Sequence, residues 1–225
     1  MPDLQYVYQH QADLYQQLVD CEDYQGNLLP ALQSIFALEG KDILESGAGT
    51  GRLTALLAPK ARSIYAFDRS AHMLQMAKLR IGTLGDKRVY LGLADHQHLP
   101  VAQAQADLFI SGWSVCYVFL EAGSEWRGGL TRTLANFQAC LRPGGKLILI
   151  ETMGTGFEEP QRLPLLQPYL DYLEEHGFQM KWVRTDYRFD SLEQARRRIP
   201  FFFGEEMLEK MQGNILPEYT GLWWR

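Results

Sequence analysis

Cysteine is scarce in this 225-residue chain: Cys21, Cys116 and Cys140 are odd in number and widely spaced. That excludes a disulfide framework and a zinc site built from closely spaced cysteine pairs, and it predicts reduced, buried thiols. No stretch approaches the roughly 20 consecutive apolar residues of a membrane-spanning helix. An excess of positive charge is also missing. With 22 Lys and Arg against 27 Asp and Glu, the formal charge is −5, which gives nucleic acid or anionic lipid no general attraction. The first twenty residues hold Asp3, Asp13 and Asp20 but no Lys or Arg, and so resemble no signal peptide. The expectation is a cytoplasmic protein without membrane or nucleic-acid partners. Linkers, repeats and low-complexity tracts are absent. A hydrophobic content of 46% suffices for a large core, and the length suits one domain.

The pattern that is present alternates strands and helices. Asn27 precedes Leu28, Leu32, Ile35 and Phe36 at helical spacing, predicting a helix capped by Asn27 and ending near Glu39-Gly40. A short apolar strand, Asp42 to Glu45, runs into Ser46-Gly47-Ala48-Gly49-Thr50-Gly51, and a helix follows from Arg52 to Ala58. Ser63 to Phe67 repeats the strand, Asp68 ends it, and Ser70 caps a helix carrying Met73, Leu74, Ala77 and Ile81 that Gly82 closes. Further strands cover Arg88 to Leu93, Asp107 to Ile110 and Lys146 to Glu151, with a helix over Leu130 to Leu141 before the last. A helix around Leu166 to Leu173 precedes a sixth strand, Phe178 to Phe189, and a last short strand spans Tyr219 to Arg225. Ser191 to Gln212 is long enough for one or two helices. Apolar strands separated by single helices call for a doubly wound α/β fold, its parallel sheet covered on both faces.

The turn from Glu45 to Gly51 points to a ligand. Three glycines at alternate positions remove Cβ atoms that would obstruct it, and the following helix offers free N–H groups. Glu45, Asp68 and Asp95 all fall at the carboxyl ends of strands, where such sheets bind ligands. Asp68 lies 19 residues after Gly49, close to the separation at which an acid reaches a ribose hydroxyl. A nucleoside-containing ligand follows. The dinucleotide pattern G-x-G-x-x-G would need glycine at position 52, where the chain has Arg52, so a nicotinamide-dependent oxidoreductase is the weaker reading.

Glu45-Ser46-Gly47-Ala48-Gly49-Thr50-Gly51 resembles the first motif of the class I S-adenosylmethionine-dependent methyltransferases. The resemblance extends to Asp68, to Asp95 in Leu93 to Pro100, and to Leu141-Arg142-Pro143-Gly144-Gly145-Lys146-Leu147. It implies a Rossmann-like methyltransferase fold with a mostly parallel seven-stranded sheet, the last strand antiparallel and inserted between the fifth and sixth. It divides the chain into a helical cap (1–39), a cofactor-binding half (40–152) and a C-terminal half with a helical insert at 191–212 (153–225). It also implies that Gly47, Gly49 and Gly51 back the methionine part of S-adenosylmethionine, that Asp68 takes the ribose hydroxyls, and that Asp95 and the His96 backbone read adenine. Glu45 orders the turn near the amino-acid end, and Ser111 lies under the sulfonium. Ala12-Asp13-Leu14-Tyr15 is similar to the family's lid helix, which makes Tyr15 a cofactor contact. Trp113 and Tyr117, after the fourth strand, are placed at the acceptor, with ring faces available to the sulfonium.

Ser111-Gly112-Trp113-Ser114 differs from the pattern of nucleic-acid amine methylation, and Val115-Cys116 from that of cytosine C5 chemistry. Clustered carboxylates for a Mg²⁺ site are missing as well. A small organic acceptor without a metal remains, its O, N, C or S nucleophile undetermined; no catalytic base is assigned, and the oligomeric state stays open. A non-catalytic S-adenosylmethionine-binding module, with Phe201-Phe202-Phe203 as a contact patch, is the other rival. His96 and His98 form an i, i+2 pair without a third ligand and read as loop polarity. Arg196-Arg197-Arg198 reads as a solvated helix face.

Overall fold

The computed structural model describes residues 4–85 and 88–225. Two short helices, α1 (Leu4–His10) and α2 (Ala12–Val19), precede α3 (Leu28–Gln33). Then come β1 (Asp42–Ser46), α4 (Arg52–Leu57), β2 (Ser63–Asp68), α5 (Ala71–Leu84), β3 (Val89–Leu93) and β4 (Ala106–Gly112). The chain continues through α6 (Cys116–Glu121), α7 (Trp126–Ala139), β5 (Leu141–Thr155), α8 (Gln167–Glu175), β6 (Gln179–Arg184) and β7 (Tyr187–Arg188). It ends with α9 (Leu192–Arg198), α10 (Pro200–Phe203), β8 (Ile215–Leu216) and β9 (Glu218–Trp224).

Seven strands form one sheet in the order β3-β2-β1-β4-β5-β9-β6. The pairs from β3 to β5 are parallel, and β9 runs antiparallel to both its neighbours. The strand order reverses between β1 and β4, which opens a crevice at their carboxyl ends.

Alternation along the central strands divides the core in two. Ile43, Ile64, Leu108, Ile148 and Ile150 face α3 and α4, burying Leu28, Leu32, Leu53 and Leu57. Leu44, Phe109, Leu147 and Leu149 face the opposite layer, where Leu130, Leu134 and Phe137 of α7 and Tyr169, Leu170 and Leu173 of α8 are buried. A third cluster lies outside the sheet and joins Leu18 and Cys21 to Tyr187, Phe189, Ala195, Ile199 and Leu216. All three cysteines are free and buried.

Several boundaries differ from the sequence expectation. Asp23, not Asn27, caps α3: its carboxylate accepts from the Asn27 and Leu28 amides at 2.8 and 3.0 Å, while the Asn27 side chain donates to Arg184 O. That helix stops at Gln33. Ser70 does cap α5, accepting from Met73 N, but the helix runs past Gly82 to end at Gly85, which takes the left-handed conformation at φ 62°. The expected sixth strand breaks after Arg184. There Thr185 turns inward onto Thr220 (2.6 Å), and Tyr187–Arg188 pairs with β8 instead. The insert is helical, as expected, over α9, α10 and a 3₁₀ segment, Glu205–Lys210. No helix among the described residues is long and apolar enough to cross a membrane.

Candidate functional site

Gly47, Gly49 and Gly51 all take positive φ, at 77°, 55° and 77°, a region costly for any residue with a Cβ. The turn is pinned to β2, because the Gly47 and Ala48 amides donate to Phe67 O at 2.8 and 2.9 Å. The three glycines make room for different things. A Cβ on Gly49 would meet nothing within 4 Å; one on Gly47 would strike the Ser114 side chain; one on Gly51 would press on Ala77 at 3.1 Å. Of the three, only Gly49 leaves space open to a ligand, while Gly47 admits Ser114 and Gly51 admits α5.

A cavity of about 900 Å³ lies over this turn. Tyr15, Glu45, Gly47, Gly49, Asp68, Asp95, His96, Trp113 and Tyr117 all line it. Gly51 and Ser111 stand behind the wall: Ser111 is 1% exposed and donates its hydroxyl to Ser46 O at 2.6 Å, bracing the end of β1.

Asp68 accepts from Gly49 N and Ser70 N, each at 2.8 Å. Burial raises its pKa, and these two amides partly offset the rise. Two amide donors leave a carboxylate with lone pairs to spare, so the group can also accept from vicinal hydroxyls in the cavity. Asp95 is held differently, accepting from Gln97 N (2.7 Å), His98 N (3.0 Å) and the His98 ring (3.0 Å). Its partial burial acts to raise the pKa, but these bonds outweigh it and the net shift is downward.

The His96 ring is turned inward, its Nδ1 2.7 Å from Ser46 Oγ and its Nε2 2.9 Å from Ser114 Oγ. It thereby ties the ends of β1 and β4 to the loop after β3. Burial drives its pKa down to about 4, so the ring is neutral near pH 7. Glu45 is the opposite case: 1% exposed, it accepts from Thr54 Oγ1 at 2.6 Å, and burial pushes its pKa up to about 8.

The N-terminal helices form the other wall, with Tyr8, Gln9, Tyr15 and Val19 facing the cavity. Tyr8 and Tyr117 share a hydroxyl–hydroxyl hydrogen bond of 2.8 Å, and Tyr8 sits edge-on to Tyr15 at 5.4 Å. Burial raises all three phenols, Tyr15 to about 12, so they act as neutral donors. Arg52 pairs with Glu22, and its guanidinium lies 4.1 Å from the Trp113 ring centre. One face of Trp113, a ring placed by the sequence at the acceptor with its faces available to the sulfonium, is therefore occupied by an arginine, while the ring still lines the cavity. Trp113 itself has φ 49°, a conformation unusual for a bulky residue. Arg69 and Glu121 form a bidentate pair at 2.8 and 2.6 Å and also line the cavity.

Tyr8, Glu22, Arg52, Arg69 and Ser114 were not singled out as site residues by the sequence. Arg52 and Ser114 adjoin motif residues, which is the one signal that could have found them. Tyr8 and Glu22 come to the site only through the path of the N-terminal helices. Among the described residues no cluster of His, Cys, Asp or Glu is arranged to hold a metal ion.

Comparison with known proteins supplies an independent line. Residues 44–149 match a family model described as a methyltransferase domain. The chain is 27% identical over 177 residues to an uncharacterized methyltransferase of Geobacillus sp. (strain WCH70), covering 76% of this chain and 75% of that protein. It is 30% identical over 145 residues to the malonyl-[acyl-carrier protein] O-methyltransferase of Pectobacterium atrosepticum, covering 64% of this chain and 51% of the relative. Against several other curated relatives the matched stretch is about half of their length or less. Among solved structures, a SAM-dependent methyltransferase from Aquifex aeolicus superposes with a TM-score of 0.55 at 16% identity, covering 87% of each chain. That likeness establishes the shared fold.

Proposed function

We propose that this chain, which belongs to the class I S-adenosylmethionine-dependent methyltransferases, carries the sulfonium methyl group to a nucleophile on a small organic molecule. One observation carries the reading. A single cavity of about 900 Å³ extends from the glycine turn and Asp68 to the hydroxyls of Tyr8, Ser114 and Tyr117, with the N-terminal helices as one wall. That volume is near the top of the range for small-molecule sites, room for a cofactor and a modest acceptor together. A wall built from α1 and α2 favours a small acceptor, or the end of a longer one, over a folded polymer.

The residues present fit S-adenosylmethionine. Gly49 leaves its α-carbon side open, Asp68 has lone pairs that would accept from the ribose hydroxyls, Asp95 and the loop after it would take adenine, and Glu45 would meet the amino-acid end. When bound, the cofactor supplies an electrophilic methyl group on a positive sulfur. The protein's part is to align the acceptor with that methyl, which by itself removes a large share of the barrier, and to exclude water with the helical cap. Tyr8 and Tyr117 bond to each other, and one phenol proton of the pair is left to orient a lone pair of the acceptor.

Neither His96 nor the phenols at the Tyr8–Tyr117 end of the cavity is poised as a base. The His96 ring, whose pKa burial lowers to about 4, is engaged at both nitrogens, and the phenols are raised. The acceptor that fits is one that reacts as an amine lone pair or as an anion formed before it binds. Calorimetric titration with S-adenosylmethionine, S-adenosylhomocysteine and NAD, followed by methyl transfer to a panel of amines, carboxylates, acyl thioesters and phenols, tests the reading. Binding of NAD alone supports the oxidoreductase, and cofactor binding without turnover on any acceptor supports the non-catalytic module.

A further inference from the structure

A second cavity, of about 350 Å³, lies outside the methyl-transfer site between the N-terminal helices and the insert. It is lined by Leu14 and Gln17 of α2 and by Gln194, Arg197, Arg198 and Phe201. The lining holds two guanidinium groups, two amides and two apolar side chains, and no carboxylate.

Arg198 is the telling residue. Its two neighbours in the basic run, Arg196 and Arg197, are exposed as a solvated helix face should be, but Arg198 is partly buried. Its Nη1 donates to Cys21 Sγ at 3.1 Å. Among the described residues no carboxylate forms an ion pair with it, whereas Arg197 has Glu193 at 3.3 Å. A guanidinium carries five N–H donors, and a thiol is a weak acceptor. A cation drawn partly out of water needs a compensating charge, and the cavity beside it is where one can enter. Leu14, 39% exposed, and Phe201 supply an apolar flank.

We propose that this cavity is a second ligand site, for a small organic oxyanion: a carboxylate or phosphate held by Arg198 and Arg197, with a short apolar portion against Leu14 and Phe201. Gln17 offers an amide donor from the α2 side, while the Gln194 amide, donating to Asp190 Oδ2 at 2.8 Å, closes the opposite side. Because the walls belong to two different segments, an occupant fastens α2 to the insert. The neighbouring contact of Tyr15 with Phe202, at 5.4 Å between ring centres, already joins these segments on the side that faces the methyl-transfer cavity. Filling the second site therefore stiffens the helix that carries Tyr15.

The test needs no methyl acceptor, so its failure is distinct from failure of the proposed activity. The whole protein is titrated with inorganic phosphate and, separately, with octanoate, following melting temperature and heat of binding. Saturable binding is expected from at least one probe. Tighter binding of octanoate assigns a role to Leu14 and Phe201, and binding of phosphate alone assigns the site to the headgroup. Arg198→Met should weaken either by tenfold or more, and Arg196→Met, which alters an exposed arginine outside the lining, should leave both unchanged. Should Arg198→Met fold poorly, Arg197→Met and the salt dependence of wild-type binding carry the same decision, with affinity falling as chloride rises. Amide exchange over residues 14–19 should slow at saturation. No saturable binding of either probe, or binding indifferent to the arginine variants and to salt, overturns the site; unchanged exchange overturns the fastening of α2.

Discussion

Glu45 makes the site's charge testable by pH. Its carboxyl is buried at the cavity wall, bonded to the Thr54 hydroxyl, and burial raises its pKa to about 8. A carboxyl with a raised folded pKa stabilises the fold at low pH. The contribution is complete below its unfolded value and is lost as pH rises through about 8. Between those limits the folded state holds one more proton than the unfolded state, so stability falls by about 1.4 kcal/mol per pH unit. Glu151 and Glu218, raised by burial to about 7 and about 8, act in the same direction. Wild-type stability, from urea unfolding at a series of pH values, should therefore decline from pH 5 to pH 8. Glu45→Gln should flatten the slope by about one proton's worth, about 1.4 kcal/mol per pH unit.

The same proton should appear in cofactor binding. At pH 7, with a pKa of about 8, roughly nine molecules in ten hold Glu45 protonated. The ammonium of the cofactor's amino-acid end, placed beside it, would favour the carboxylate, so binding should expel up to roughly 0.9 proton per site. Calorimetry in two buffers of different ionisation enthalpy measures that release. Glu45→Gln should abolish it; the ligand's own α-amino group titrates in a similar range, but its contribution is common to both proteins and cancels in the difference. Equal proton release by wild type and variant, or stability slopes that coincide, would refute the placement of Glu45 and its protonation together.

Three other expectations follow from the geometry. Asp68→Asn removes the charge behind its bonds from Gly49 N and Ser70 N and toward the proposed ribose hydroxyls; S-adenosylmethionine affinity should fall by about 1.5 to 3 kcal/mol, roughly 10- to 150-fold, and unaltered calorimetric affinity in a folded variant would remove Asp68 from the site. Gly49→Ala and Gly51→Ala share the cost of a positive φ, but the Gly49 methyl would enter open space over the turn and should weaken binding, whereas the Gly51 methyl would also meet the Ala77 backbone at 3.2 Å and should lower melting temperature further; the reverse ranking would mean that the glycines serve other ends. Trp113→Leu removes the ring under Arg52 and should lower stability by about 1 to 2 kcal/mol, while Tyr117→Phe breaks only the bond to Tyr8 and should lower turnover with little change in melting; a Tyr117→Phe enzyme with full turnover would displace the acceptor from that wall.

Much of the sheet domain was legible because its signals are local. An apolar strand into Gly47-Ala48-Gly49-Thr50-Gly51, Ser70 three residues ahead of its Met73 N–H partner, and alternating Leu147-Ile148-Leu149-Ile150 each determine their structure over a few residues. The errors arose where a distant residue decides. Asn27 looks like a cap, but Asp23 takes the amides, and Asn27 is drawn to a carbonyl more than 150 positions away. The strand after Phe178 looks continuous because Tyr187 and Phe189 extend its pattern, yet those two rings belong to the cluster with Leu18 and Ile199. The cavity's lower wall could be named from the motif. Its upper wall could not, since nothing in the local pattern brings Tyr8 to Tyr117 or Glu22 to Arg52. Nor does anything local signal that Arg52, at the start of α4, lies over one face of Trp113.

On the proposal that α1 and α2 form a lid, the attachments are graded along the chain. At its base, Glu22 pairs with Arg52, and Asp20 accepts from Arg80 at 2.6 Å, where Arg80 Nε also holds Thr50 O. The Glu22 side chain is 4% exposed, and removing it would leave the Arg52 cation, 20% exposed, without its carboxylate, a loss approaching about 3 kcal/mol, the lower end for a buried pair. Toward its start the attachments are neutral, namely the Tyr8–Tyr117 hydroxyl pair and a 3.2 Å bond from Ser70 Oγ to Tyr8 O, each worth about 0.5 to 1.5 kcal/mol. Opening therefore begins at α1, with the charged base as the hinge, and the first group uncovered is the Tyr8–Tyr117 end of the cavity. Under this arrangement the acceptor can enter and leave past α1 while the glycine turn, pinned through Thr50 and Arg52 to that base, stays closed. Glu22→Gln should therefore speed cofactor dissociation far more than Tyr8→Phe does, and stopped-flow release rates in which the two variants match would contradict a hinge at the base.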